Sequence, residues 1–257
     1  MCIRDSYSIN ISELAEELEQ RGYESLFVPE HTHIPTSRRS PFPGGGDLPK
    51  QYSHTLDPFV SLGFAAAATK SLKIGTGICL LPQRDPIVTA KSIASLDLMS
   101  NGRFVLGLGG GWNVDEMENH GVTYKTRFSM MKEHVLAMKS LWVDEEAEFH
   151  GDYVNFDKSW AYPKPVQKPY PPILMGGETD YTLKRVVDYC DGWFPRGRGG
   201  FDAGESMQRL KNMADKSNRD MSTLSVSVFG APPDEGTMTS YKTVSYTHLT
   251  LPTNREV

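Results

Sequence analysis

The stretch GTGICLLPQRDPIVTAKSIASLDLMSNGRFVLGLGGGWN, Gly75 to Asn113, decides the fold. It opens inside an apolar run, Leu72 to Leu81, that is bounded by Pro82 and reads as a buried strand. Asp85-Pro86 then supply a cap and a helix-ready proline, and Ile87, Ala90, Lys91, Ala94 and Leu98 recur at helical spacing. Ser100-Asn101-Gly102 stop that helix, and Phe104 to Leu108 is a second buried strand ending in Gly109-Gly110-Gly111. Strand, crossover helix, strand is the unit of a parallel sheet, and such sheets bind ligands at the carboxyl ends of their strands. Three glycines at that point either bring bare backbone N–H groups to a ligand or simply turn the chain. No G-x-G-x-x-G dinucleotide fingerprint opens a helix here.

On the amino-terminal side, Ser12 to Tyr23 reads as an amphipathic helix with Ser12 as its cap and Gly22 at its end. Ser25 to Val28 is a short strand carrying Pro29-Glu30-His31-Thr32-His33, and the Pro/Gly/Arg-rich residues through Thr55 read as a functional loop. Leu56 to Lys70 is an apolar helix. Beyond the central stretch, Asn113 to His120 begins a short helix and Arg127 to Trp142 a long one. Residues 146–169 alternate polar and aromatic, a hairpin-like insertion. Pro172 to Met175 is a strand ending in Gly176-Gly177-Glu178-Thr179, followed by a helix, Tyr181 to Tyr189. Then come strand Gly192 to Pro195, a loop with Arg196 and Arg198, helix Ala203 to Lys216, and strand Leu224 to Phe229. Asp234 begins a last helix.

Six strands alternate with helices, and the series starts at a helix. An α/β (β/α)₈ TIM barrel lacking its first strand and its eighth βα unit accounts for this order; a doubly wound open sheet is the alternative. In the barrel, the strands near 25–28 and 224–229 are expected to be open edges facing a gap two strands wide.

The two ends read differently from the rest. Met1 to Ser6, MCIRDS, is what ATG-TGT-ATA-AGA-GAC-AGT encodes, which resembles the transposon mosaic end used in sequencing-library preparation. Val244 to Thr253, VSYTHLTLPT, reads as its reverse complement running into the adapter. The expectation is therefore a single barrel domain over residues 7–243, with 1–6 and 244–257 as linker-derived flanks that pack poorly and neither natural terminus present.

About 237 residues suit one barrel or two ordinary domains. With 39% hydrophobic and 10% aromatic residues the chain can fill a large core, and no apolar run approaches a membrane span. A formal net charge of −5 argues against nucleic-acid or membrane-surface partners. Outside the flanks, Cys79 and Cys190 fall in core-like settings, which suggests a reducing, cytoplasmic compartment.

The strand ends hold three glycine-rich mouths, two histidines and a tryptophan, with few nucleophiles and no matched carboxylates. That set suits a large flat cofactor bearing an anion better than hydrolytic chemistry. His31-x-His33 has three readings: a metal pair, a loop histidine without a role, or an acid/base partner beside a cofactor. No later strand ends in histidine, so no metal site is assigned. Gly176 to Thr179, opening a helix, is a candidate phosphate site or a capped turn.

QRDPIVTAKSIASLDLMSNGRFVLGLGGGWNVDEMENHGV, RFSMMKEHVLAMKSLW, PPILMGG and DGWFP together resemble the luciferase-like monooxygenase superfamily, most closely its branch dependent on the deazaflavin coenzyme F420. The resemblance runs over nearly all of residues 7–243. It implies a barrel with an insertion, often a homodimer, that performs hydride transfer or oxygenation of a small-molecule substrate on a bound isoalloxazine. By resemblance, Glu30 and His31 face the reactive edge of the ring as the catalytic pair. Gly77-Ile78 form a bulged non-prolyl cis peptide behind the ring. Gly109, Gly110, Gly111, Trp112 and Asn113 line it, and Gly176, Gly177, Glu178 and Thr179 take the phosphate. Arg196 and Arg198 are candidate partners for the carboxylates of a deazaflavin tail. Trp112 departs from the pattern, standing where some deazaflavin sugar-phosphate dehydrogenases carry a catalytic glutamate. The implied function is an F420-dependent oxidoreductase; the alternatives are a reduced-FMN monooxygenase and a non-catalytic flavin-binding relative.

Overall fold

The amino-terminal half is built as the residue pattern expects, with small shifts at the caps. A computed structural model describes residues 7–197, 201–231, 234–243 and 248–250. The first helix, α1 (Ile11–Gln20), buries Leu14, Ala15 and Leu18. Its cap is Asn10, whose side chain accepts from the Ser12 amide at 2.8 Å, and not Ser12 itself. Strand β1 (Ser25–Val28) follows, then the long loop with one 3₁₀ turn at Lys50–Ser53. Helix α2 (Pro58–Ala68) starts on the Asp57 cap. Strand β2 (Lys73–Thr76) is shorter than the apolar run: the regular ladder is interrupted at the Gly77–Ile78 peptide, which is cis, Cys79 still bridges Leu108 of the next strand, and the chain turns at Leu81–Gln83. Asp85 caps α3 (Pro86–Met99) through the Val88 amide, and Pro86 takes its first turn.

Strand β3 (Phe104–Leu108) leads to the short α4 (Val114–Asn119) and the long α5 (Arg127–Val143). The insertion is an antiparallel hairpin, β4 (Ala147–His150) with β5 (Asn155–Ser159). The barrel pattern resumes with β6 (Ile173–Gly176), α6 (Asp180–Tyr189), β7 (Gly192–Phe194), α7 (Ala203–Lys216), β8 (Ser225–Phe229) and α8 (Glu235–Thr243).

One parallel sheet carries the molecule, in the order β1-β2-β3-β6-β7-β8 followed by β9 (His248–Thr250). Strand β9 corrects the expected open edge at 225–229. Ser227, Val228 and Phe229 pair in parallel with His248, Leu249 and Thr250, residues of the segment read as a linker. The free backbone groups of a parallel edge accept any extended segment that reaches them, whatever its side chains. The edge at β1 pairs on one side only, with β2, among the described residues.

The sheet curls. Phe27 on β1 lies 5.0 Å, ring to ring, from Phe194 on β7, and Phe194 meets Phe229 of β8 at 5.6 Å. Phe27, Leu174 and Phe194, with Ile78, Val105 and Phe229 against them, fill the inside of the curl. The larger core lies between the outer sheet face and the helices, where Leu26, Ile74, Phe104, Leu106, Ile93 and Val135 are buried. Cys79 and Cys190 are both free and buried, and burial raises both thiols above their ordinary pKa. Among the described residues, no helix is long and apolar enough to cross a membrane.

Candidate active site

The carboxyl ends of β1, β2, β3 and β6 gather the residues singled out in the sequence. Ile78 sits at the centre of that mouth. A Cβ at Gly109 would collide with Ile78 Cδ1, and one at Gly176 would come within 3.2 Å of Ile78 Cγ2. The glycines of these two strand ends therefore make room for the isoleucine. Gly109 does not offer its amide to a ligand, since its N–H is donated to the Cys79 carbonyl at 3.0 Å. Gly110 gives way to Phe128, whose ring would lie 2.6 Å from a Cβ there, and Gly111 has φ +73.

His31 is paired, but not with Glu30. Its Nδ1 lies 2.8 Å from Glu116 Oε2, and the other oxygen of Glu116 accepts the Thr32 amide at 3.2 Å. The Glu116 side chain is fully buried and that of His31 is 7% exposed. A carboxylate at Nδ1 places the proton on that nitrogen and leaves Nε2 as the acceptor. Glu30 turns the other way. Its Oε2 accepts the Leu80 amide at 2.6 Å, and its Oε1 accepts Arg84 Nε at 2.5 Å. Burial works to lower the pKa of Arg84, yet the charge and hydrogen bonds of Glu30 prevail and raise it. Adjacent residues leaving a strand project to opposite sides, so Glu30 ties β1 to the turn after β2 while His31 reaches α4. Glu30 and His31, expected from the sequence to act together, are thus not bonded to each other, and the acid at the His31 ring is Glu116.

An aromatic wall stands beside His31. Its ring centroid is 5.5 Å from Tyr52 and 5.9 Å from Trp112, and Phe42 packs edge-on to both of those rings. Phe42 and Tyr52 come from the loop at 34–55, which is pinned to α4. Ser37 and the Arg39 amide donate to Asp115, Arg39 pairs with Asp115 and Glu118, and the Val114 amide donates to Ser40. The Ser37 hydrogen bond, first among these contacts, holds Asp115 below the ordinary carboxylate range.

His33 faces outward, bonded to Asn119 at 2.9 Å and to Thr32 at 2.9 Å, with Thr32 also at 2.7 Å from His120. Among the described residues no three His, Cys, Asp or Glu side chains gather as metal ligands.

The expected phosphate end is partly spoken for. Thr179 caps α6 through the Thr182 amide, and the Gly177 carbonyl accepts the Trp193 indole at 2.7 Å. Arg196 makes a two-pronged bond to Glu178 at 2.9 and 2.8 Å. Burial favours a higher pKa for Glu178, but these Arg196 bonds outweigh it and hold the carboxyl below its ordinary value. Arg198 lies outside the described residues. Arg127 and Arg185 stand over the Phe128 ring, their guanidiniums 4.3 and 3.7 Å from it, and that ring occupies the space a Cβ at Gly110 would take. Neither makes an ion pair among the described residues. Arg127 opens α5, which has no side-chain cap and no acid in its first turn.

The sequence reading passed over Glu116, Arg127 and Arg185. A signal existed for Glu116: two acids, Asp115 and Glu116, in the first turn of a helix that follows a glycine mouth. For the arginines there was none, because their shared neighbour Phe128 comes from packing.

The family model for luciferase-like monooxygenases matches residues 8–232. An uncharacterized protein of Mycobacterium tuberculosis, Rv0953c, is 43% identical over 206 residues, spanning 79% of this chain and 72% of its own. The F420-dependent hydroxymycolic acid dehydrogenase of that organism is 29% identical over 175 residues, 66% of this chain and 48% of its own. The FMNH2-dependent dimethylsulfone monooxygenase of Pseudomonas putida is 28% identical over 152 residues, 58% of this chain and 40% of its own. In three dimensions the chain resembles an F420-dependent secondary alcohol dehydrogenase at TM-score 0.72 and 19% identity, covering 93% of this chain and 87% of that one. With the family match running through every strand from β1 to β8, the chain belongs to the luciferase-like monooxygenase family.

Proposed function

We propose that the chain is an oxidoreductase that holds a flavin-type cofactor across the carboxyl ends of its strands and transfers hydride to or from a small organic substrate, with coenzyme F420 as the cofactor. The observation that carries this reading is the His31–Glu116 pair at the mouth, 2.8 Å long and nearly closed to solvent. When bound, the cofactor supplies the ring that gives or takes hydride. The chain supplies the rest. Glu116 holds the His31 ring with Nδ1 protonated, so Nε2 is the nitrogen that takes up a substrate proton. Ile78, seated between Gly109 and Gly176, offers an apolar rest for a flat ring. Arg127, Arg185 and the uncapped start of α5 supply the positive charge for an anionic tail, a role Arg196 cannot share while bonded to Glu178.

The preference for F420 is supported by the longer of the two cofactor-bearing matches, that to an F420-dependent dehydrogenase. The relative that uses reduced FMN supports a second reading, an FMN monooxygenase on the same site. Titration with each cofactor, followed by ring fluorescence, separates them. Saturable binding of F420 with at least about tenfold weaker binding of FMN is expected, a difference of about 1.4 kcal/mol. The reverse order replaces the first reading by the second, and no saturable binding of either overturns both. In the F420-loaded protein, His31→Ala is expected to lower turnover about 10²- to 10⁴-fold while cofactor affinity survives.

A further inference from the structure

Two adjacent arginines lie in the loop after β1, and their surroundings differ. Arg39 is neutralised by Asp115 and Glu118 of α4. The Ser37 hydroxyl and the Arg39 amide also turn to Asp115. Arg38, between them, makes no ion pair among the described residues: its Nη2 donates to the Ser40 carbonyl at 3.3 Å, and its Nη1 has no acceptor. Its guanidinium carbon instead lies 5.8 Å from the centre of the Trp112 ring, the same ring that stands edge-on to His31. An indole face at that distance compensates a cation far less than a carboxylate does. The backbone is held out of its ordinary range to put the side chain there. Three described residues other than glycine have φ in the left-handed region; Asn101 and Asn218 are of a type that tolerates it, whereas Arg38, at φ 49, is not. A cation without a counter-charge, on strained backbone beside a reacting group, is what a loop carries when a ligand supplies the missing charge.

We propose that Arg38 determines specificity on the substrate side of the mouth by taking a single carboxylate borne by the substrate; the inference deepens the function proposed above and rests on that reading for placing the reacting carbon at His31. Arg38 is half-buried, so an anion entering from solvent reaches its guanidinium. A guanidinium meets a carboxylate through two parallel N–H bonds, which fix the direction of the substrate as well as its charge. One unpaired cation matches one negative charge. Arg39 already faces two acids, so the neighbourhood is net negative without Arg38 and disfavours a phosphate dianion. Trp112 and Tyr52, half-buried rings beside His31, offer the apolar surface between the carboxylate and the reacting end. Arg38 binds and orients; it moves neither hydride nor proton.

The test uses the whole chain, its Arg38→Met and Arg38→Lys variants, and two probes of one shape, benzoate and neutral benzamide, with binding followed by calorimetry. Wild type is expected to bind benzoate about tenfold more tightly than benzamide, as a charge-assisted pair does over a neutral contact. Arg38→Met is expected to bind the two alike, and Arg38→Lys to keep part of the preference as a point charge. Equal binding of the two probes by wild type overturns the proposal. So does a preference that survives in Arg38→Met, which puts the anion elsewhere. A thermal midpoint well below wild type in both ligand-free variants also overturns it, since Arg38 then holds the fold. If Arg38→Met weakens F420 or FMN as much as benzoate, Arg38 serves the cofactor: the substrate assignment falls and the flavin-type reading stands. If wild type binds neither cofactor yet prefers benzoate, and Arg38→Met loses that preference, the flavin-type reading falls and the carboxylate site stands.

Discussion

Replacing Glu116 by Gln tests the pairing at the centre of the site. The carboxylate now serves two donors, the His31 Nδ1–H at 2.8 Å and the Thr32 amide at 3.2 Å. A carboxamide of the same shape has a single acceptor oxygen, so one of those donors goes unmet, and the negative charge is gone in either case. That charge matters most when His31 has taken a proton, because the imidazolium then lies beside it with almost no water between. A hydrogen bond to a charged group contributes about 1.5–3 kcal/mol and a neutral one about 0.5–1.5. The exchange therefore costs the protonated state about 1–2 kcal/mol, or roughly 5- to 30-fold in turnover. Steady-state kinetics on the F420-loaded protein measures this, with cofactor titration alongside. The expected result is turnover reduced in that range with cofactor affinity unchanged within about twofold. Unchanged turnover at saturation with weakened cofactor binding would refute the argument and make Glu116 a binding residue.

Two further outcomes follow from the fold. Gly109→Ala places a methyl group against Ile78 Cδ1 in a packed mouth. It is expected to cost about 1–3 kcal/mol in urea unfolding and to weaken F420 binding by displacing Ile78; a variant with wild-type midpoint and affinity would contradict the packing described. Far from the mouth, Glu19 accepts the amides of Lys70, Ser71 and Leu72, and chiefly the Ser71 amide bond holds its pKa down to about 2 from an ordinary 4.5. A carboxyl depressed in the folded state stabilises above its unfolded pKa, and that contribution is lost as pH falls from about 4.5 toward 2. After discounting for its exposure, Glu19→Gln is expected to cost about 1–2 kcal/mol at pH 7 and progressively less below pH 4.5. Equal destabilisation at pH 7 and pH 3 in denaturant titrations would exclude the ionic origin.

The sequence by itself determined the elements and the face on which ligands bind. Asp85-Pro86 fixed the start of α3, Thr179 that of α6, and the branched runs at 104–108 and 173–175 the buried strands, because caps, proline geometry and strand hydrophobicity act between near neighbours. The cis peptide at Gly77–Ile78 came from resemblance and is present. Whether β8 would stay an edge was not legible: backbone groups of a strand carry no side-chain code for what covers them, and His248–Thr250 cover these. Nor was the partner of His31, since Glu30 adjoins it in the chain while Glu116 stands 85 residues away. Only the curl of the sheet, which carries α4 over the end of β1, turned the neighbour into a brace for Arg84 and the distant acid into the histidine's companion. Side-chain direction at a strand end is set by the backbone's alternation, and long-range pairing by packing, so the chemistry of the mouth was decided where the sequence has no local signal.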